Sequence, residues 1–560
     1  MAELEKLELS VRGMTCDSCA LHVTKALKSV PGVQDVDVPG WQAARASVTA
    51  EVDVTPEALT SAVREAGYSA TVRSRRSSLS SFVPVSLPGV DGNSGNSFYL
   101  MVIGGGSSGF AAAIKGAELG FKVALVEAGT IGGTCVNVGC VPSKTLIRSV
   151  ELHHLAGQHR FQGVHTVPGS IYWPEVIAHK DELVSEMRQA KYTDVLAAYP
   201  EITYIQGRAR LTGKNDVEID GKRYAPGKII IATGAKPWAP SIPGLNEALY
   251  LDSTSALDLK ELPKSMIVLG ANAVGLELAQ AYARAGTYVT VLEVLPRIAP
   301  FEDSDISAAL AEYLEEEGLR IVPHFKTTRV ERRDGRYILT GIKNDAEVTF
   351  EAEQLLVATG RRPNTAGLGL EEAGVKLGKR GEILVNDLLL THNPFVYAAG
   401  DVTGRDMFVY VAAYSGQLAT ENALTNAGRT YDVSYIPRIT FTDPQIASAG
   451  LTEDQAREQG YEVKVSSLPM VHVPRALAAR DTRGLIKLVS NAATDHLLGA
   501  HILAPEAGEM IQTAVLAIRF GISVRELRET MFPYLTNAEG LKLAALAFEK
   551  DVAKLSCCAG

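Results

Sequence analysis

The chain has 560 residues, 46% of them hydrophobic and 21% charged, which is the balance of an ordinary folded protein divided into about three or four domains. A net charge of −9 argues against a general nucleic-acid role. The first ten residues mix Glu and Lys with no apolar core, and the longest early apolar run, Phe98–Ile103, ends in three glycines, so neither a secretory signal nor stable membrane insertion is read, and the expected location is cytoplasmic.

In chain order, residues 5–72 predict a small α/β unit. Leu7–Val11 alternates as a strand, Ala20–Val30 has helical spacing, Val33–Val38 and Ala44–Ala50 read as strands, Thr55-Pro56 opens a helix to Ala66, and Ser69–Val72 is a last strand. The order βαββαβ is the ferredoxin-like pattern, placed over 1–72. Residues 73–97, rich in Arg, Ser, Gly and Asn, read as a flexible linker. From Phe98 strands and helices alternate as βαβ units do. The expected fold class is therefore α/β, with two Rossmann-like nucleotide-binding domains (98–235 joined to 356–433, and 236–355) and a mixed α+β interface domain over 434–560.

Six cysteines fall in three close pairs: Cys16 and Cys19, Cys135 and Cys140, Cys557 and Cys558. In a reducing compartment such pairs argue for metal or redox work rather than structural bridges. Gly104-Gly105-Gly106-Ser107-Ser108-Gly109 follows a strand and opens an Ala-rich helix. Gly104, Gly106, Ser108 and Gly109 suit a pyrophosphate on a helix N-terminus, and Glu127, ending the next strand, stands where an acid meets a ribose hydroxyl. The string Gly132-Gly133-Thr134-Cys135-Val136-Asn137-Val138-Gly139-Cys140-Val141-Pro142-Ser143-Lys144 comes next. Its four intervening residues are expected to set both sulfurs on one face of a helical turn, close enough to exchange two electrons, with Lys144 lowering a thiolate pKa.

From residue 98 onward the sequence resembles the pyridine nucleotide–disulfide oxidoreductases, whose redox-active stretch matches 132–144. The resemblance implies FAD on the first nucleotide site, with Gly133, Thr134 and Lys144 beside it. It implies that Cys140 lies against the flavin as the charge-transfer thiolate and that Cys135 is the outward, exchanging thiol. Ala232-Thr233-Gly234 and Ala358-Thr359-Gly360-Arg361 match the family's two crossovers, and Ala399-Gly400-Asp401 matches its flavin-contacting segment. Gly270-Ala271-Asn272-Ala273-Val274-Gly275 resembles the nicotinamide turn, with Gly270 and Gly275 kept and Asn272 crowding the pyrophosphate in place of a glycine. Glu277 matches the acid that pairs with the active-site lysine, here Lys144. Glu293, ending the following strand, suits a free ribose 2′-hydroxyl, so NADH stands beside the NADPH usual in the family's branch that reduces mercuric ion, with Arg297 able to offset the acid.

The substrate is read from departures. Disulfide-reducing members carry a His–Glu pair near the C-terminus that protonates a leaving thiolate. Aligned on Glu539, Tyr534 replaces that histidine, and a Tyr is a poor base near neutral pH. This resembles the branch of the family that reduces mercuric ion, as does Tyr192, a tyrosine aimed at the metal in that branch. The tail pair Cys557-Cys558 offers soft thiolates to a soft metal, and the resemblance implies a homodimer in which the tail serves the partner's active site. Gly13-Met14-Thr15-Cys16-Asp17-Ser18-Cys19 resembles the heavy-metal-associated domain of metallochaperones. The reading is an FAD- and nicotinamide-dependent enzyme with Hg²⁺ as substrate, received as thiol complexes. The rivals are a lipoamide dehydrogenase- or glutathione reductase-like enzyme with a fused metal domain, and a metal-trafficking protein without turnover.

Overall fold

The computed structural model describes residues 4–14, 16–41, 45–51, 54–77 and 97–554. Two compact units form, Met1–Leu87 and Pro88–Gly560. In the first, antiparallel strands lie in the order Val33–Asp37, Arg45–Glu51, Leu4–Arg12, Ser69–Ser77. Alternate residues Leu7, Leu9 and Val11 and, beside them, Ala46, Val48 and Ala50 are buried, as period-2 patterning requires. Val23, Leu27, Leu59 and Val63 from the helices Asp17–Lys28 and Pro56–Glu65 complete this core. Thr55 caps the second helix, its hydroxyl accepting from Ala58 N at 3.2 Å, with Pro56 at the first position. The expected βαββαβ order is present, but its last strand continues to Ser77, inside the segment read as linker. Residues 78–96 lie outside those described, as do Thr15, Cys557 and Cys558.

The second unit holds three main sheets. A parallel sheet runs Val396–Ala398, Lys228–Ile231, Leu100–Ile103, Val123–Glu127, Ile202–Gln206. Its central strand, Leu100–Ile103, is buried along its whole length, and each such side chain contributes about 1.5–3 kcal/mol relative to an exposed one. The second parallel sheet runs Arg320–Val322, Tyr288–Leu292, Ser265–Leu269, Gln354–Val357. Because Gln354–Val357 pairs here, the return to the first sheet comes after Val357 rather than at the expected 356. The pair Ala235–Pro237 and Arg361–Pro363 marks the two crossings between these sheets. The third sheet is antiparallel, in the order Pro437–Thr440, Gln445–Gly450, Leu497–Ala504, Leu485–Asn491, Val463–Pro469, covered by the helices Ala507–Arg519 and Glu539–Leu546. Both nucleotide turns therefore sit at the carboxyl ends of parallel strands, where open α/β sheets bind ligands.

Candidate functional site

The first nucleotide turn leaves the strand Leu100–Ile103 at Gly104 (φ +114°), where a Cβ would lie 2.3 Å from Ala232 O, and the helix Ser107–Glu118 begins after Gly106. Gly133 (φ +59°) abuts this turn so closely that its Cβ would come 2.6 Å from Gly106 Cα. Glu127 is held by backbone on both oxygens, accepting from Gly105 N and Gly129 N at 2.6 Å each. A cavity of about 590 Å³ is lined by Gly104, Gly106, Glu127, Gly133, Thr134, Arg208, Thr233, Gly234 and Lys236. A second cavity shares Gly106, Thr134 and Gly234 with it and adds Ser108, Cys135, Cys140, Lys144, Glu277, Arg361 and Asp401. Thr233 does not offer its hydroxyl freely, because Oγ1 donates to Asn364 O at 2.7 Å while Asn364 Nδ2 donates to Thr233 O at 3.0 Å. The two crossovers are thus laced together.

These residues fit FAD. Ser108, on the wall of the inner cavity, has a buried hydroxyl with no partner in the protein, a helix N-terminus opens beside it, and the glycine-lined floor admits close backbone approach. Asp401 is half-buried, and desolvation pushes its carboxyl above its ordinary value, with the charge of Arg361 opposing. Gly400 is fixed by Ser415, whose Oγ accepts its N–H at 2.9 Å.

The dithiol differs from expectation. Cys135 lies in the helix Gly133–Val138, which breaks at Gly139 (φ −132°, ψ −113°), and Cys140 opens a new helix, Cys140–Ala156. On one unbroken helix, residues five apart diverge by well over a quarter-turn. The break, not a shared helical face, brings the thiols together. Both cysteines are unbridged. Cys140 is lowered from 9.0 to about 7, first by the hydrogen bond from Cys135 and also by the charge of Lys144, against burial and the charge of Glu277. Cys135 is pushed up, first by that same bond and then by burial. Asn137 clasps the loop, donating to Ile131 O and Gly133 O at 2.9 Å each and accepting from Arg188 at 2.9 Å. Asn137 belongs to the family-like stretch read from the sequence, but nothing there singled out Arg188 or this clasp.

Lys144 Nζ meets Glu277 Oε2 at 2.6 Å, the pair expected. Phe441, which sequence reading passed over, donates its backbone N–H to Glu277 Oε1 at 2.9 Å, and its ring centre lies 4.6 Å from Lys144 Nζ. In the second nucleotide turn, Asn272 takes an extended conformation (φ −102°, ψ −176°) close to that of Gly106 (φ −79°, ψ −174°). The turn folds alike in both places, and Asn272 alters only what a ligand meets. Glu293 accepts from Ala271 N at 2.8 Å and Leu295 N at 2.9 Å. Arg297 turns back on its own loop, donating to Pro300 O and Glu302 O at 3.2 Å each.

Tyr192 sits in a π-helical turn, Gln189–Thr193, a distortion that recurs at functional sites. Its ring packs 4.7 Å from that of Phe110, and its hydroxyl is raised in pKa by burial, with Ser107 hydrogen-bonded and the two thiols close enough to act on it. It is therefore a proton-bearing phenol at neutral pH. Tyr534 is 56% exposed. Glu539 opens the helix Glu539–Leu546 with one buried carboxylate oxygen unpartnered. Neither contributes to the wall of the cavity that holds Cys135 and Cys140. In the N-terminal unit, exposed Cys16 precedes the first helix at its N-cap position and half-buried Cys19 lies on its first turn, with sulfurs 3.4 Å apart. Tyr68, not foreseen, hydrogen-bonds Cys19 and is raised in pKa by it. Among the described residues no group of three or more His, Cys, Asp or Glu is arranged around a metal position.

Three family profiles match the chain: pyridine nucleotide-disulphide oxidoreductase over 98–416, the dimerisation domain of that family over 436–545, and heavy-metal-associated domain over 8–69. Curated relatives include a mercuric reductase of Staphylococcus aureus, 45% identical over 99% of both chains. Another, of Bacillus cereus, is 43% identical over 100% of this chain and 88% of its own. A third, of Streptomyces lividans, is 47% identical over 82% of this chain and 98% of its own. Among solved structures, the HOCl-induced flavoprotein disulfide reductase RclA from Escherichia coli is 31% identical with a TM-score of 0.72, covering 80% of this chain and 99% of its own.

Proposed function

The chain belongs to the pyridine nucleotide-disulphide oxidoreductases and, within them, to the mercuric reductases, and we propose that Cys135 and Cys140 hold the Hg²⁺ it reduces. FAD and a pyridine nucleotide are the cofactors of the family. When bound, FAD supplies the two-electron link between the nicotinamide and the thiol-held metal. The remaining tasks fall to the protein. Cys140, half ionised near pH 7, offers the first thiolate, and Cys135 loses its proton to solvent as the metal replaces its hydrogen bond to Cys140. Lys144, fixed by Glu277, keeps positive charge beside the reacting centre. Tyr192, a neutral phenol hydrogen-bonded with Ser107, lies close enough to the thiols for their charge to act on it.

One observation carries the choice of a metal over a disulfide. Where a disulfide reductase needs a histidine to protonate a departing thiolate, this chain has the exposed Tyr534. A two-electron reduction of Hg²⁺ to Hg⁰ releases both sulfurs as thiolates and requires no such acid. The overall balance is NADPH plus Hg²⁺ giving NADP⁺, H⁺ and Hg⁰. NADPH is the proposed donor, with NADH a second, because Glu293 already gives both oxygens to backbone amides and Arg297 supplies a nearby cation.

Delivery is proposed as a relay of thiolate exchanges, each forming one S–Hg bond as another breaks. Cys16 and Cys19 collect the ion, Cys557 and Cys558 carry it, and Cys135 and Cys140 receive it. The chain carries the family's dimerisation domain. We place the receiving pair in the partner subunit of a homodimer, with Tyr534 and Glu539 at the shared site. No helix among the described residues is long and apolar enough to cross a membrane, and the reducing cytoplasm suits the free thiols.

Anaerobic stopped-flow with NADPH or NADH, followed by Hg²⁺ in excess thiol, tests the reading. Nucleotide oxidation that depends on Hg²⁺ is expected, and turnover with disulfides alone would sink it. Replacing Cys557 and Cys558 with Ala is expected to slow turnover of Hg²⁺ bound to bulky thiols. Unchanged rates would remove the tail from the relay.

A further inference from the structure

We propose that Phe441, on the turn between the strands Pro437–Thr440 and Gln445–Gly450 of the dimerisation sheet, is a positioning residue for the Lys144–Glu277 pair. Its backbone amide holds the acid and its ring holds the ammonium. Three domains meet here: Lys144 follows the dithiol, Glu277 lies on the helix Ala273–Arg284 of the nicotinamide half, and Phe441 comes from the third sheet.

Glu277 is 5% exposed, and a buried carboxylate needs both oxygens answered. Lys144 Nζ answers Oε2 at 2.6 Å and Phe441 N answers Oε1 at 2.9 Å. The lysine side chain remains 33% exposed. A lysine is a flexible, strongly hydrated charge and would share its time with water unless something covered it. The Phe441 ring, 4.6 Å from Nζ, is within cation–π range and supplies that cover.

The same turn grips the helix farther along. Asp443 N donates to Gln280 Oε1 and Gln280 Nε2 to Asp443 O, each at 2.8 Å, and Arg284 reaches Asp443 Oδ2 at 2.8 Å. Glu277, Gln280 and Arg284 share one face of that helix by their spacing. The turn therefore fixes both the rotation and the height of the helix, and Phe441 stands at the end that opens on the cavity lined by Cys140, Lys144, Glu277 and Asp401. Arg483 braces the turn from behind through Asp443 Oδ1 at 2.8 Å. A cation held at this cavity favours negative charge gained by a group reduced within it.

The proposal rests on the flavin reading of the cavity and not on the identity of the final oxidant. Its test uses the holoenzyme with Phe441→Leu, which keeps apolar bulk and the backbone amide but removes the ring face, and with Phe441→Tyr, which keeps the ring. Flavin content and Tm establish that each variant folds. The flavin midpoint potential and the rate of flavin reduction at saturating nicotinamide are then measured without mercury. Phe441→Leu is expected to have a more negative potential and to be reduced roughly three- to fivefold more slowly, the size of one cation–π contact expressed as a rate, with little change in nicotinamide affinity. Phe441→Tyr should restore both. A folded Phe441→Leu enzyme with wild-type potential and reduction rate, or a folded Phe441→Tyr enzyme that shares the defect, overturns the proposal. Loss of flavin or of cooperative unfolding in Phe441→Leu assigns the residue to structure and equally overturns it. Failure of the mercury reading would show separately, as absent Hg²⁺-dependent turnover in the unaltered enzyme.

Discussion

Replacing Cys135 by Ala tests whether the thiol pair, rather than the neighbouring lysine, prepares Cys140. In the intact dithiol the bond from Cys135 is the largest influence on Cys140, which stands at about 7 against an ordinary 9.0. The charge of Lys144 adds a smaller lowering, while burial and Glu277 work against both. Because the pKa is depressed, the thiolate is present above about pH 7 and is lost as pH falls through that value. At a pKa of about 7, roughly half of Cys140 is ionised at pH 7, whereas at the ordinary thiol value only about one molecule in a hundred is. Deleting the donor while leaving burial in place should move the inflection upward toward or past the ordinary value. Reactivity at pH 7 should then fall by at least about tenfold, and by about fiftyfold or more if the inflection reaches the ordinary value. The assay is the rate of iodoacetamide capture at Cys140 in reduced, mercury-free holoenzyme, read by mass spectrometry across pH so that the other cysteines do not interfere. Lys144→Met, assayed in parallel, should raise the inflection less. An inflection that stays near 7 in Cys135→Ala, or one that moves further in Lys144→Met, refutes the ordering of causes.

Gly133→Val should abolish flavin retention, since φ +59° and a Cβ only 2.6 Å from Gly106 Cα force the floor of the cavity apart. The flavin absorbance of the purified protein measures it, and full occupancy would contradict the geometry. Arg483→Met should destabilise the large unit by about 1.5–3 kcal/mol, because it removes the charge-assisted bonds from Arg483 to Asp443 and Asp481 at 2.8 Å each and leaves them only Arg284 and Arg160. Thermal unfolding measures this, and a loss under 1 kcal/mol would mean that Arg284 and Arg160 compensate.

Whatever depends on one short stretch of chain was legible in the sequence. Both nucleotide turns and the cysteine pairs each occupy a few consecutive residues, and each element of the βαββαβ unit carries its own strong local patterning. The break at Gly139 was not, because the Cys-x₄-Cys spacing does not itself say where a helix stops, and the close packing at Gly139, where a Cβ would come 2.9 Å from Thr134 O, is visible only once the chain is folded. The hold of Phe441 on Glu277 spans 164 positions and leaves no sequence signature, since a backbone amide has no residue type. The hydrogen bond from Tyr68 to Cys19 was hidden for a related reason: a Tyr after a Gly at the end of a helix reads as ordinary core.

The two nucleotide turns show why an acid at the end of the second strand says less about the nicotinamide than its position promises. The acids reach back identically, Glu127 Oε2 to Gly105 N at 2.6 Å and Glu293 Oε2 to Ala271 N at 2.8 Å, and each gives its other oxygen to the amide two residues later. The first glycine of each turn lies on the carbonyl of its crossover, so that a Cβ would come 2.3 Å from Ala232 O at Gly104 and 2.6 Å from Ala358 O at Gly270. Those positions answer to the protein. The second position does not, because a Cβ on Gly106 would meet only Gly133 Cα at 3.6 Å, an ordinary contact, and Asn272 fills its counterpart without changing the backbone. A carboxylate that ties the turn to the strand is needed by the fold whether or not it also meets a ribose. Its presence at Glu293 is therefore compatible with either nicotinamide. Arg297 likewise answers to the fold, since its guanidinium donates to Pro300 O and Glu302 O at 3.2 Å each.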